Sequence, residues 1–151
     1  MRFFRNLYRA SIWAPDSIPL DEAKYAVPLK RYILPVFDIL MVIGGVFAIH
    51  SGMPSFEALI RPWAFGLAYM VTIAAGTALL GIAFPGLWRL EIVGKILLFV
   101  LLGMYAIALF LRGNSYTGVT YLGLSLLPLL RLWIIGWEFA ERRDADGDGR
   151  A

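Results

Sequence analysis

Apolar positions in this chain are not alternated with polar ones. They are gathered into four long runs, with the charged residues pushed to the edges. No Asp, Glu, Lys or Arg occurs in 62–88, 96–111 or 113–130. A helix that crosses a hydrocarbon core of about 30 Å needs about 20 predominantly apolar residues. The pattern therefore predicts spans near 32–50, 62–84, 89–111 and 117–139. A transmembrane barrel would show short segments of alternating hydrophobicity instead. The expected fold is all-α: an integral membrane four-helix bundle over 32–139. A basic amphipathic segment (1–31) precedes it, and a disordered charged tail (140–151) comes after it.

Composition agrees with lipid as the solvent. Of the 151 residues, 60% are hydrophobic, above the roughly 45–50% of soluble domains, and the mean hydropathy is +0.70.

The Lys and Arg residues give an orientation, because basic residues near helix ends resist translocation. Arg2, Arg5, Arg9, Lys24, Lys30 and Arg31 precede the first run, Arg89 separates the second and third, and Arg142, Arg143 and Arg150 come after the fourth. Only Arg61 and Arg112 lie in the other two connections. Both termini are thus expected in the cytoplasm and the protein in a bacterial cytoplasmic membrane.

The start, MRFFRNLYRASIW, does not read as a secretion signal, since the first long apolar run begins too late. Arg2, Arg5 and Arg9 fall on one helical face, with Phe3, Phe4, Leu7, Tyr8 and Ile12 largely on the other. Such a helix lies in the membrane surface and attracts anionic lipid headgroups, although a partner-binding helix has the same pattern. Pro15, Pro19 and Pro28 divide the rest of this segment, leaving room for a short helical piece around DEAKYAV.

Chemical sites are sparse. With no Cys and one His, neither a thiolate site nor a His-based metal cluster can be assembled. His50, Ser51, Ser55 and Glu57 are close in sequence but lack the orienting geometry and oxyanion hole of a hydrolase. No enzymatic activity and no cofactor are expected. Asp144, Asp146, Asp148 and Gly149 imitate the start of a calcium loop, but the sequence closes before the bidentate Glu position, so this stretch is read as a solvated tail. The net charge of +3 flanks the spans and makes no nucleic-acid surface.

Two features inside the runs remain. In the second, Ala64, Ala68, Thr72 and Gly76 recur every four residues, predicting a small-residue stripe where another backbone comes close, in this chain or in another subunit. Ala74, Ala75 and Ala78 broaden it. Gly44 and Gly45 in the first run and Gly103 with Ala106 in the third offer matching small sites.

The second feature is charge. Asp38, Lys95 and Arg131 all fall about 9–13 Å from the expected cytoplasmic edge, at about 1.5 Å per residue. An unpaired charge there costs at least about 2.5–3.5 kcal/mol. Asp38 is therefore expected to pair with Arg131 or Lys95, with Glu91 and Lys95 forming a second acid and base four residues apart. Snorkelling of Lys95 and Arg131 to the headgroups, or a proton or ion pathway, would use the same residues. Pro128 removes a hydrogen bond to the carbonyl of Leu124, which predicts a kink near Arg131.

Four short-looped spans, a basic start and the tail RRDADGDGRA resemble the small membrane proteins of actinobacterial phages, including holin-like proteins of lysis cassettes. The resemblance covers the layout of the whole chain, with more spans than well-known holins carry. It implies an oligomer that accumulates in the host cytoplasmic membrane and opens it for an endolysin. The chain also resembles small multidrug transporters, which have four spans and an acid in the first. Theirs is Glu where this chain has Asp38. A third reading is a non-enzymatic membrane anchor or assembly factor acting through the basic start.

Overall fold

The computed structural model describes residues 2–14, 28–53, 57 and 63–148, with side chains outside 2–5 and 138–148. The Pro-divided stretch 15–27, Arg61 and 149–151 lie outside the described residues. Five α-helices make up the fold: α1 (Arg2–Arg9), α2 (Leu34–Ser51), α3 (Ala64–Ala83), α4 (Trp88–Leu111) and α5 (Ser115–Asp148). A turn of π-helix over Leu29–Ile33 leads directly into α2. Among the described residues there is no strand. Four helical stretches, Leu29–Ser51, Ala64–Ala83, Pro85–Leu111 and Ser115–Trp137, are long and apolar enough to cross a bilayer, so the chain is a small multi-span membrane protein.

The helices end where local chemistry stops them. Gly113 takes φ 74° after α4, its N–H donates to the Phe110 carbonyl (2.9 Å) and that of Asn114 to Leu109 (3.0 Å). These two bonds are the Schellman arrangement that satisfies orphan carbonyls at a helix end. The Asn114 side-chain oxygen then accepts from the Thr117 hydroxyl at 2.8 Å, starting α5 within a connection of three residues. Between α3 and α4, Phe84 is extended and Pro85–Leu87 forms a single tight turn.

α5 runs through Pro128 without a break and on to Asp148, which corrects the expected disordered tail at 140–148. Pro128 is itself fully buried. Glu138, Ala140, Glu141, Arg142, Arg143 and Ala145 favour helix, and the first Gly after Gly136 is Gly147. Leaving the apolar run therefore does not by itself end the helix.

The spanning helices pack in chain order, α2 on α3, α3 on α4 and α4 on α5; no other pair of them has more than marginal backbone contact. The row is held by close approach at small residues together with a core that includes Phe37, Leu67, Leu98, Leu101 and Leu102; close approach matters here because lipid is as apolar as the helix surfaces. Ala64, Ala68, Ala74, Ala75, Ala78 and Gly81 of α3 are all buried, and large residues such as Phe47, Ile73, Ile107 and Trp133 face outward.

The expected small-residue stripe is only half used. Ala64 and Ala68 are buried and Thr72 lies against Gly45, where an added Cβ would overlap the Thr72 side chain. Gly76, however, has open space around it, as do Gly44 and Gly103. A four-residue repeat advances about 40° per step around a helix of 3.6 residues per turn, so the stripe winds off the interface. The closest approach is elsewhere. A Cβ on Gly94 would meet Ala78 N at 2.5 Å and Ala74 O at 2.8 Å, and one on Gly81 would overlap the Glu91 backbone.

The segment after α1 folds back on the spanning helices. The Ile12 N–H donates to the Ala83 carbonyl (3.0 Å) at the end of α3, and the Ile12 side chain is buried with Leu34 and Ile82. The Arg31 guanidinium donates to the carbonyls of Ile12 (3.1 Å) and Ala14 (2.7 Å), while the Trp13 indole N–H donates to the Arg31 carbonyl (3.3 Å). Leu7, Tyr8 and Arg9 of α1 are exposed; the side chains of Arg2, Phe3, Phe4 and Arg5 lie outside the described set.

Candidate functional site

Three helices converge on one cluster of charge. α2 supplies Asp38, next to the buried Phe37 and one turn after Leu34. α4 supplies Glu91 and Lys95, which lie four apart on the face that continues through Leu98 and Leu102. α5 supplies Arg131, on the buried line of Ser125, Pro128 and Ile135. α3 contributes small side chains, and its helical span carries no Asp, Glu, Lys or Arg.

Lys95 Nζ lies 2.5 Å from Asp38 Oδ1, and neither side chain is exposed. Arg131 Nε lies 2.6 Å from Glu91 Oε1 and its Nη2 lies 3.4 Å from Oε2, a fork across the carboxylate. Lys95 Nζ also sits 5.4 Å from the centre of the Phe37 ring, whose face favours a cation. The two acids and two bases balance, so the cluster carries no net charge.

Of the two partners open to Asp38, Lys95 takes it, and Arg131 goes to Glu91. The alternative of snorkelling does not fit this geometry, since Lys95 is 0% and Arg131 6% exposed. The i, i+4 acid and base on α4 also do not satisfy each other; each reaches across to a different neighbouring helix. Equal depth alone could not choose among these pairings, and chain-order packing decides them by placing α5, not α2, beside Glu91.

Asp38 Oδ2 is buried with no hydrogen-bond partner. A buried carboxylate oxygen left in this state is costly, even when its twin is paired. It is the one buried side-chain polar atom so placed among the described residues.

Outside this cluster the chemistry is slight. Glu57 Oε1 accepts from the Met53 N–H at 3.1 Å, so it caps a turn. Arg89 lies over the Trp88 ring at 5.4 Å, a pairing suited to a headgroup boundary. The Arg31 contacts were not readable in the sequence, where Arg31 counts as one more flanking charge.

Comparisons with protein-family models, with curated proteins and with solved structures give no match for this chain.

Proposed function

We propose that this protein acts by assembling in the bacterial cytoplasmic membrane and permeabilising it, in the manner of a holin, with both termini on the cytoplasmic side. The observation that carries the reading is the open row of helices: α2 and α5 make no close backbone interface, while all four intramembrane charges are turned inward. A row without a closing contact can join its edges to those of other copies. Charges that are paired inside one copy are then available to line a wetted surface between several. Without association, the apolar exterior keeps the single copy compatible with lipid.

A second reading, a small proton- or cation-coupled transporter, is favoured by the unpartnered Asp38 Oδ2. The ammonium of Lys95 against Asp38 Oδ1 weakens it, because it already occupies the place a cationic substrate would take.

Inducible expression in a bacterium tests the proposal. Abrupt loss of membrane potential, with release of a co-expressed cytoplasmic endolysin, is expected. Growth inhibition without permeability rejects it, and selective drug or ion export without lysis supports the transporter. Normal growth with the protein in the membrane leaves the anchor or assembly factor.

A further inference from the structure

We infer that Asp38 is a proton-binding site, and that its occupancy decides whether α2 is tied to α4. The inference does not depend on whether copies permeabilise a membrane, because it concerns the single chain.

The geometry has three parts. Asp38 holds Lys95 through Oδ1 alone, and Oδ2 is buried without a partner, so one oxygen of the carboxylate is available to a proton. Lys95 has a second carboxylate within one turn of its own helix, since Glu91 and Lys95 are at i and i+4. Finally, α2 has no extensive backbone interface with α4 or α5, so the Asp38–Lys95 pair is its polar link to the rest of the row beyond α3.

Asp38 is faced by groups from every helix around it. α4 presents Lys95 and Glu91, and α5 presents Arg131 bound to Glu91. α3 presents Ala74, Ala75 and Ala78 at its buried face, its one ionisable residue, Tyr69, being exposed. Lys30 and Arg31 lie about two turns earlier, with Arg31 engaged by Ile12 and Ala14.

On acidification, hydronium gives a proton to Oδ2: one O–H bond of the hydronium breaks, the Oδ2–H bond forms, and water is left, with no change of oxidation state. Asp38 becomes neutral, and Lys95 keeps its three protons and its charge but loses its counter-charge. The remaining carboxylate in reach is Glu91, which already takes the Arg131 fork and can accept a second cation through its free lone pairs. Lys95 then turns along α4 from Asp38 to Glu91, and α2 is left held by α3. The tie is present while Asp38 is ionised and lost as pH falls through its titration.

The test uses the full chain in detergent and in lipid discs. Infrared difference spectra between neutral and acidic buffer are expected to show, in the wild type, a high-frequency protonated-carboxyl band of a buried group, apart from the lower-frequency bands that water-exposed carboxyls give in every variant. The band should be absent in Asp38→Asn and retained in Glu91→Gln. Thermal unfolding of the wild type should shift down on acidification, while Asp38→Asn melts lower at neutral pH and loses the shift. Should Asp38→Asn fail to fold, the double variant Asp38→Asn/Lys95→Met removes both charges, and it should fold without the band. A band that persists in either Asp38 variant, a band lost only in Glu91→Gln, or a wild type with no such band overturns the inference.

Discussion

Glu91 and Lys95 stand one turn apart on α4 and turn to opposite neighbours, Lys95 to Asp38 of α2 and Glu91 to Arg131 of α5. Had they paired with each other, Asp38 and Arg131 would have been left charged in the apolar interior. Each intramembrane charge is answered because α4 lies between the two helices that carry the others. One turn of α4 therefore connects three spans, and its four charges sum to zero.

Double-mutant cycles should find this pairing and no other. Removing Lys95 alone leaves Asp38 buried without its counter-charge, a loss of about 3–5 kcal/mol by analogy with other buried pairs. Removing both should recover part of it, with a coupling of about 0.5–3 kcal/mol in detergent unfolding. Asp38→Asn and Arg131→Leu, which break different pairs, should combine more nearly additively. A large Asp38–Arg131 coupling would reassign the pairs.

Arg131→Lys keeps the charge but not the fork. Nε and Nη2 reach the two oxygens of Glu91 from a planar group, which an ammonium cannot reproduce. A stability loss of about 1.5–3 kcal/mol is expected, the worth of a charged hydrogen bond. Unfolding indistinguishable from wild type would show that only charge matters at this position.

Among the glycines, Gly94→Leu should be the damaging change and Gly76→Leu the mild one. Gly94 lies against the backbone of Ala74 and Ala78, so a side chain there must separate α3 from α4, whereas Gly76 has nothing within 4 Å. Overfilling costs typically about 1–3 kcal/mol and is larger where backbone must move. Thermal unfolding of the two variants gives the order, and the reverse order would misplace the α3–α4 contact.

The spans were legible because lipid allows no unsatisfied backbone, so a charge-free run of sufficient length has to be helix. The identity of the charged residues was legible for the same reason: few charges are tolerated there, and those that are need partners. Their pairing was not, because Lys95 and Arg131 stand at nearly the same depth and only helix order separates them. Gly76 misled because composition shows which residues are small but not which face they occupy. The continuation of α5 past Phe139 was hidden by the Asp and Gly content of the tail, although Glu141, Arg142, Arg143 and Ala145 are good helix formers.

Topology has a direct measurement. In the sequence, ten of the 14 Lys and Arg residues precede the first apolar run, separate the second from the third or come after the fourth, against Arg61 and Arg112 in the other two connections. Reporter fusions after Ala151 and near Ser55 should give opposite signals, the first cytoplasmic. Equal signals would remove the four-span arrangement.

The Arg31 guanidinium donates to the carbonyls of Ile12 and Ala14, and the Arg31 carbonyl accepts from the Trp13 indole N–H. These bonds, with Ile12 N–H on the Ala83 carbonyl, hold the segment Ile12–Ala14 after α1 against the end of α3 and the start of the first spanning helix. Arg31→Ala removes both side-chain donors while the apolar contact of Ile12 with Leu34 and Ile82 remains. The segment should therefore open locally, at a cost of about 1.5–3 kcal/mol per charged hydrogen bond lost, without unfolding the spans. The chain has no Cys, so Ala14→Cys introduces a single thiol at a buried position with little change in volume. A polar maleimide should modify it slowly in an otherwise wild-type chain and about tenfold faster or more when Arg31→Ala is added, tenfold corresponding to about 1.4 kcal/mol. Arg31→Lys should fall between, since an ammonium reaches one carbonyl more readily than two. If all three label at one rate, Arg31 does not hold the segment, and Ile12 packing alone keeps it in place.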